Sequence, residues 1–127
     1  LEGGSALIPT LDSITAAEAS IRVGGRCGSL AAQVAHVTQY MEAAEHMIRT
    51  GEDVPTDYSI IWKTVEKVDE AEWQRLKDKL KAAYERIHAM LSSFESWHPG
   101  QIGGALIILV HSAYHLGEIR QALCTLK

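Results

Sequence analysis

The stretch SLAAQVAHVTQYMEAAEHMIRT, residues 29–50, decides the fold. Leu30, Val34, Val37, Met41, Ala44 and Ile48 recur in it every three or four positions, the spacing that lines one face of an α-helix. Ser29 stands where its hydroxyl can accept from a free first-turn amide, and Thr50-Gly51 supplies a stop. The stretch therefore predicts one long amphipathic helix.

Two other segments carry the same period. Asp69-Glu70-Ala71-Glu72 has the form of a capping box, and it opens a run of Trp73, Leu76, Leu80, Ala83, Ile87, Met90 and Phe94. After the Trp97-His98-Pro99-Gly100 break, Gln101 to about Leu126 contains no proline and predicts a third long helix, although Gly103, Gly104 and Gly117 weaken its propensity. Residues 102–110 are apolar on nearly every side, which predicts cover on more than one face, at the centre of a bundle or from a second subunit. At the start, Ser5 to Ile14 predicts a short helix with Pro9 near its first turn, followed by a second capping-box form, Thr15-Ala16-Ala17-Glu18. Residues 52–68 hold Pro55, Asp57, Trp62 and several β-branched residues, and read as loop with short turns. Three long helices and one short one predict an all-α four-helix bundle, a single domain over residues 1–127 with no strand.

Composition narrows the class. Hydrophobic residues at 46% and charged residues at 22% are near the globular average, so the chain should fold on its own core. Twelve Lys and Arg against sixteen Asp and Glu give a net charge of -4 with no basic stripe, which argues against a nucleic-acid partner. The longest unbroken apolar run is Ala105 to Val110, far short of the roughly 20 residues that span a bilayer, so no membrane partner is expected. No signal segment precedes the first residues, and two cysteines, Cys27 and Cys124, make no disulfide scaffold; a reducing cytoplasm is expected.

His111 and His115 stand four apart on the last predicted helix, so both imidazoles share one face about 6 Å apart at Cβ, near enough to hold one ion. Gly104, Ile108, His111, His115, Glu118 and Ala122 fall along one stripe, and such a stripe points inward. Imidazoles held there need partners, which a metal would supply. A third ligand must come from another helix. His36, at the border of the Val34, Val37, Tyr40, Met41, Ala44 band, is the best candidate; His46, His88 and His98 fit solvated or capping roles.

These residues carry a resemblance. One His on the second helix, together with His111-Ser-Ala-Tyr-His115-Leu-Gly117-Glu-Ile119 near the C-terminus, resembles the DinB-like (damage-inducible) family of metalloenzymes, over roughly Ala6 to Leu126. The Gly24-Gly25-Arg26 approach and Trp62-Lys63-Thr64 belong to the same likeness. It implies a four-helix bundle in which His36, His111 and His115 hold a divalent ion, Zn or Ni, with an open water position. Characterised members include transferases and isomerases that place a low-molecular-weight thiol on the metal, and hydrolases have been proposed. The resemblance therefore implies a thiol-dependent transferase or a metal-dependent hydrolase acting on a small-molecule substrate, without choosing between them. A non-catalytic bundle whose histidines serve packing, dimerisation or sensing is the alternative.

Two positions depart from the family pattern. Glu118 stands where Gln is more usual, and could orient a histidine, serve as a base or face water. Leu1 to Ile14 supplies about half of the usual first helix, so a short or truncated first helix would expose apolar surface on its neighbours, and a homodimer is expected. Elsewhere, Cys27 before the second helix could be a low-pKa thiol but has no adjacent base. Trp62, Trp73, Tyr84 and Trp97 read as packing anchors, Gly117 as a point of close backbone packing, and Arg120 and Gln121 as surface residues.

Overall fold

Every long helix starts where a side chain takes up backbone amides that a helix leaves free. In the computed structural model, which describes residues 6–24 and 27–127, the helices are α1 (Leu7–Asp12), α2 (Ala16–Ala19), α3 (Leu30–Thr50), α4 (Ser59–Thr64), α5 (Glu70–Ser92) and α6 (Pro99–Leu126). Ser29 accepts from the amide of Ala32 to open α3, and Gly51, at φ 75°, closes it in the left-handed conformation that glycine adopts without strain. Asp69 and Glu72 form a reciprocal capping box on α5, and Thr15 and Glu18 form one on α2. His98 caps α6 through Nδ1, which accepts from Gly100 and Gln101, so this histidine is spent on helix initiation two residues earlier than the Gln101 boundary predicts.

The chain is all-helical: among the described residues no strand forms, and Arg22 and Ser29 make an isolated bridge. Residues 52–68, expected as loop, contain α4; its six residues carry no buried position to give a period that sequence reading could detect. The Gly25-Arg26 part of the glycine-rich approach, and Ser5, lie outside the described residues. α5 ends at Ser92, leaving Phe94 beyond it against Trp97.

α3 is the central helix. It packs against both α5 and α6, and its buried face runs from Leu30 to Glu45. α6, by contrast, buries Gly104, Ile108, His115, Ile119 and Ala122 and leaves the rest of its surface half or fully open. Of the two placements expected for α6, the central one is thus overturned: apolar residues all round give a helix no preferred side, and α3 takes the core. Among the described residues α6 is also the one helix long and apolar enough, by length and composition, to cross a membrane; the unbroken-run criterion passes over it because Gly, His and Ser interrupt the run.

Glycines in α6 divide by what faces them. A Cβ on Gly104 would lie 2.5 Å from Cγ1 of Ile48, so this is where α3 and α6 approach closely. Gly104→Ala should therefore destabilise: overpacking costs about 1–3 kcal/mol, against about 1 kcal/mol gained in helix propensity. Urea unfolding would measure it, and relief by Ile48→Ala in the double variant identifies the clash. Gly117, expected at a close backbone contact, has nothing within 4 Å, and neither has Gly103. The aromatic residues divide likewise: Trp73 is a buried anchor, Trp62 is half-buried, and Tyr84 and Trp97 are exposed rather than anchoring.

Candidate metal centre

α3 and α6 bring the three predicted histidines together. His36 comes from α3, His111 and His115 from successive turns of α6, and one ring nitrogen from each lies within 4.8 Å of the others. Nε2 of His111 is 3.2 Å from Nε2 of His36 and 3.2 Å from Nε2 of His115. Nitrogens about 2.0–2.1 Å from a tetrahedral ion stand about 3.3–3.4 Å apart, so the two edges that meet at His111 have the length such a site needs, while the edge from His36 to His115 lies within 4.8 Å.

Hydrogen bonding serves this arrangement with a single shared proton. Nδ1 of His115 is 2.9 Å from a Glu118 oxygen and 3.3 Å from Oε1 of Gln33, both acceptors, so the proton sits on Nδ1 and Nε2 presents a lone pair. His111 Nε2–H can then donate to His115. A neutral imidazole nitrogen carries either a proton or a lone pair, so the same atom cannot also accept from His36. Without a cation the two 3.2 Å contacts have one proton between them, whereas a cation would engage all three lone pairs.

Burial prepares the rings as ligands. Burial first, then His115 and His36, pushes His111 down to about 4. Burial and the neighbouring His115 also hold His36 below the ordinary histidine range, and burial lowers His115 although Glu118 pulls it upward. Each ring is therefore neutral at neutral pH, the form that binds metal. Among the described residues Nδ1 of His36 and Nδ1 of His111 are buried without a partner, as is Oε1 of Gln39 one turn beyond His36, and of the three rings His115 is the one whose orientation described acceptors fix.

Aromatic rings wall the cluster. Tyr40 stacks on His111 with centroids 3.7 Å apart and planes 15° apart. Trp62 and Tyr58, at centroid distances of 5.0 and 5.6 Å, cover His36 from α4 and the residue before it. A Cβ on Gly28 would strike the Trp62 ring at 2.7 Å, so the glycine before the α3 cap leaves room for this wall. Glu118 also accepts from the Tyr114 hydroxyl, raising the tyrosine above its usual range. Gln33 and Tyr40, three before and four after His36, follow from its helical stripe; Tyr58 and Trp62 had no such signal.

The other candidates lie elsewhere. His46 and His88 are exposed, and Cys27 is a free, exposed thiol beside Gln33 and Glu118 in an open depression of about 490 Å³. Gln121 lines the same depression. Glu118→Ala should weaken metal binding about 10- to 100-fold, the usual cost of losing a group that orients a ligand, and Glu118→Gln, which keeps an acceptor, should weaken it less. Competition against a chelating dye measures both; unchanged affinity in the alanine variant would show that Gln33 alone sets the ring. Comparison of the chain with family models, with curated proteins and with solved structures gives no match.

Proposed function

We propose that this chain is a DinB-like four-helix bundle, with α1 and α2 in the place of the first helix, that binds one divalent ion, Zn or Ni, through His36, His111 and His115. The observation that carries the reading is His111 Nε2, which faces an imidazole nitrogen of His36 and one of His115 at 3.2 Å each and has at most one proton to share between them. The donor set is three neutral nitrogens, a set suited to Zn and Ni, and the nearby carboxylate, Glu118, stands behind His115 rather than among the donors. An ion so held with an open position supplies a strong electrophile that acidifies a thiol or water.

The chain's own residues then bind and orient. Glu118 and Gln33 keep the proton on Nδ1 of His115, and Tyr40, Tyr58 and Trp62 exclude water from the side of the cluster facing α4. Aromatic walls favour a small substrate with an apolar or flat part. The reaction class is transfer to or from a low-molecular-weight thiol, or hydrolysis.

The second reading, structural histidines in a non-catalytic bundle, draws on the same 3.2 Å spacing, which is also a hydrogen-bond length. Metal content decides between them. Untagged protein should carry one ion per chain, removable by chelator; protein without metal that takes up neither Zn nor Ni belongs to the structural reading. Screening small thiols with electrophiles, with and without chelator, then tests transfer, and ester or amide substrates without thiol test hydrolysis.

A further inference from the structure

We infer that the outer face of α6 is a self-association surface, on which a second copy of this chain lays its own α6 antiparallel, with the two-fold axis at Val110. On this face Leu106, Ile107, Val110 and Tyr114 are 45–67% exposed in consecutive turns, and residues 102–117 contain no charged side chain. With Ile102 they leave on the order of 500 Å² of mainly apolar surface open, at the upper end of what monomers commonly show and well over half of the roughly 800 Å² each partner buries in a stable dimer.

The glycines set the register. Gly103 and Gly117 each leave an added Cβ in open space, so no close contact among the described residues accounts for two residues that cost about 1 kcal/mol apiece in a helix. They lie seven positions before and seven after Val110, on the same side of the helix. A two-fold axis at Val110 sets Gly103 against Gly117 of the second copy at both ends of the contact, where missing side chains let the backbones come close. It also places Ile107 beside Tyr114 of the second copy and Leu106 beside its Ala113, so large residues meet across the seam at a shallow crossing angle.

A bilayer fits the same face less well. α6 carries its two ligand histidines on the side packed against α3, and its cations are Arg120 and Lys127 alone, whereas helices that lie on membranes set rows of Lys and Arg beside their apolar face. Pairing also bears on the metal centre, a consequence that rests on the functional reading above. Tyr40, His111, Ile107, Val110 and Tyr114 line an open depression of about 380 Å³ on this face, and a second copy would roof it, making the substrate space shared between chains. The ligands themselves all come from one chain, so the dimer and the metal stand or fall separately.

Sedimentation of the full chain across a wide concentration range should show a reversible dimer. Val110→Lys, at a position already exposed, should weaken association by about a hundredfold or more, since it buries an ammonium at the axis. Gly117→Leu, at a position where an added Cβ has no described atom within 4 Å, should also dissociate the dimer while helicity and metal content stay unchanged. In a Cys27→Ser, Cys124→Ser background, Val110→Cys should form a disulfide between copies under mild oxidation. Ile107→Cys mixed with Tyr114→Cys should cross-link, and Leu109→Cys, which faces the groove beside α5, should not. A chain monomeric at every concentration, or a dimer indifferent to Val110→Lys and Gly117→Leu, overturns the inference. So does binding of the monomer to neutral or anionic lipid vesicles that Val110→Lys abolishes.

Discussion

His111→Ala is expected to leave the purified protein without stoichiometric metal, because the atom removed is the one that both other ligand nitrogens face at 3.2 Å. The loss should exceed the roughly 10- to 100-fold that follows removal of a group merely orienting a ligand. Two imidazoles on different helices remain, and neither has its position set by the other. In thermal unfolding, Zn at about a hundred times its dissociation constant stabilises the folded wild type by about 2.7 kcal/mol, roughly a 10 °C rise for a domain of this size. The variant should show no rise. Without metal the variant should unfold close to the metal-free wild type: it loses the stack on Tyr40, and it also loses a buried imidazole whose Nδ1 has no partner. A wild-type protein that neither carries metal nor responds to Zn or Ni would sink the metal reading and leave the histidines structural.

The histidine cluster is legible in the sequence because its parts lie on long helices. A four-residue interval on α6 and a borderline position on α3 give directions that survive any plausible packing of two helices, so His36, His111 and His115 could be named before their nitrogens were placed. Glu118 was visible as an acid one turn from His115, with its role left among three options; the 2.9 Å contact with Nδ1 selects orientation of the ring. Tyr58 and Trp62 were not legible as walls. Their segment is short, has no period, and takes its shape from contact with α3 rather than from its own residues.

A similar limit explains the misplaced α6. Apolar residues on every side announce burial without saying which side is buried or by what, and the helix that won the centre, α3, did so with alanines that let neighbours approach closely: Ala31, Ala32, Ala35 and Ala44 are all buried. Gly104 faces Ile48 and Gly117 faces nothing, yet both read alike in sequence as mid-helix glycine. Propensity registers that each is costly; only the positions of neighbouring atoms show what the cost permits. Capping, by contrast, is local chemistry, and Ser29, Asp69 and Thr15 each act as their spacing predicts.

Trp73→Ala should be among the most damaging single changes in the core. The side chain is 1% exposed, and its Nε1–H donates to the carbonyl of Ile14 at 2.7 Å, tying the turn between α1 and α2 to α5. Truncating a buried Trp costs about 3–5 kcal/mol, a large share of the 5–15 kcal/mol that holds a domain together. Trp73→Phe keeps most of the packing but leaves the Ile14 carbonyl unpaired, for about 1–3 kcal/mol. Urea unfolding followed by circular dichroism would rank the two. Under the proposed metal binding, Zn supplies a further discrimination, because an ion that binds only the folded state adds its binding energy to whatever stability remains. If the core around Trp73 and the histidine cluster unfold as one unit, saturating Zn should raise the midpoint of Trp73→Ala by about as much free energy as it raises the wild type. If Zn protects the cluster while the residues around Ile14 stay unfolded, α1 and α2 form a separate, weaker unit, and the ion's stabilisation ends with the helices that hold it.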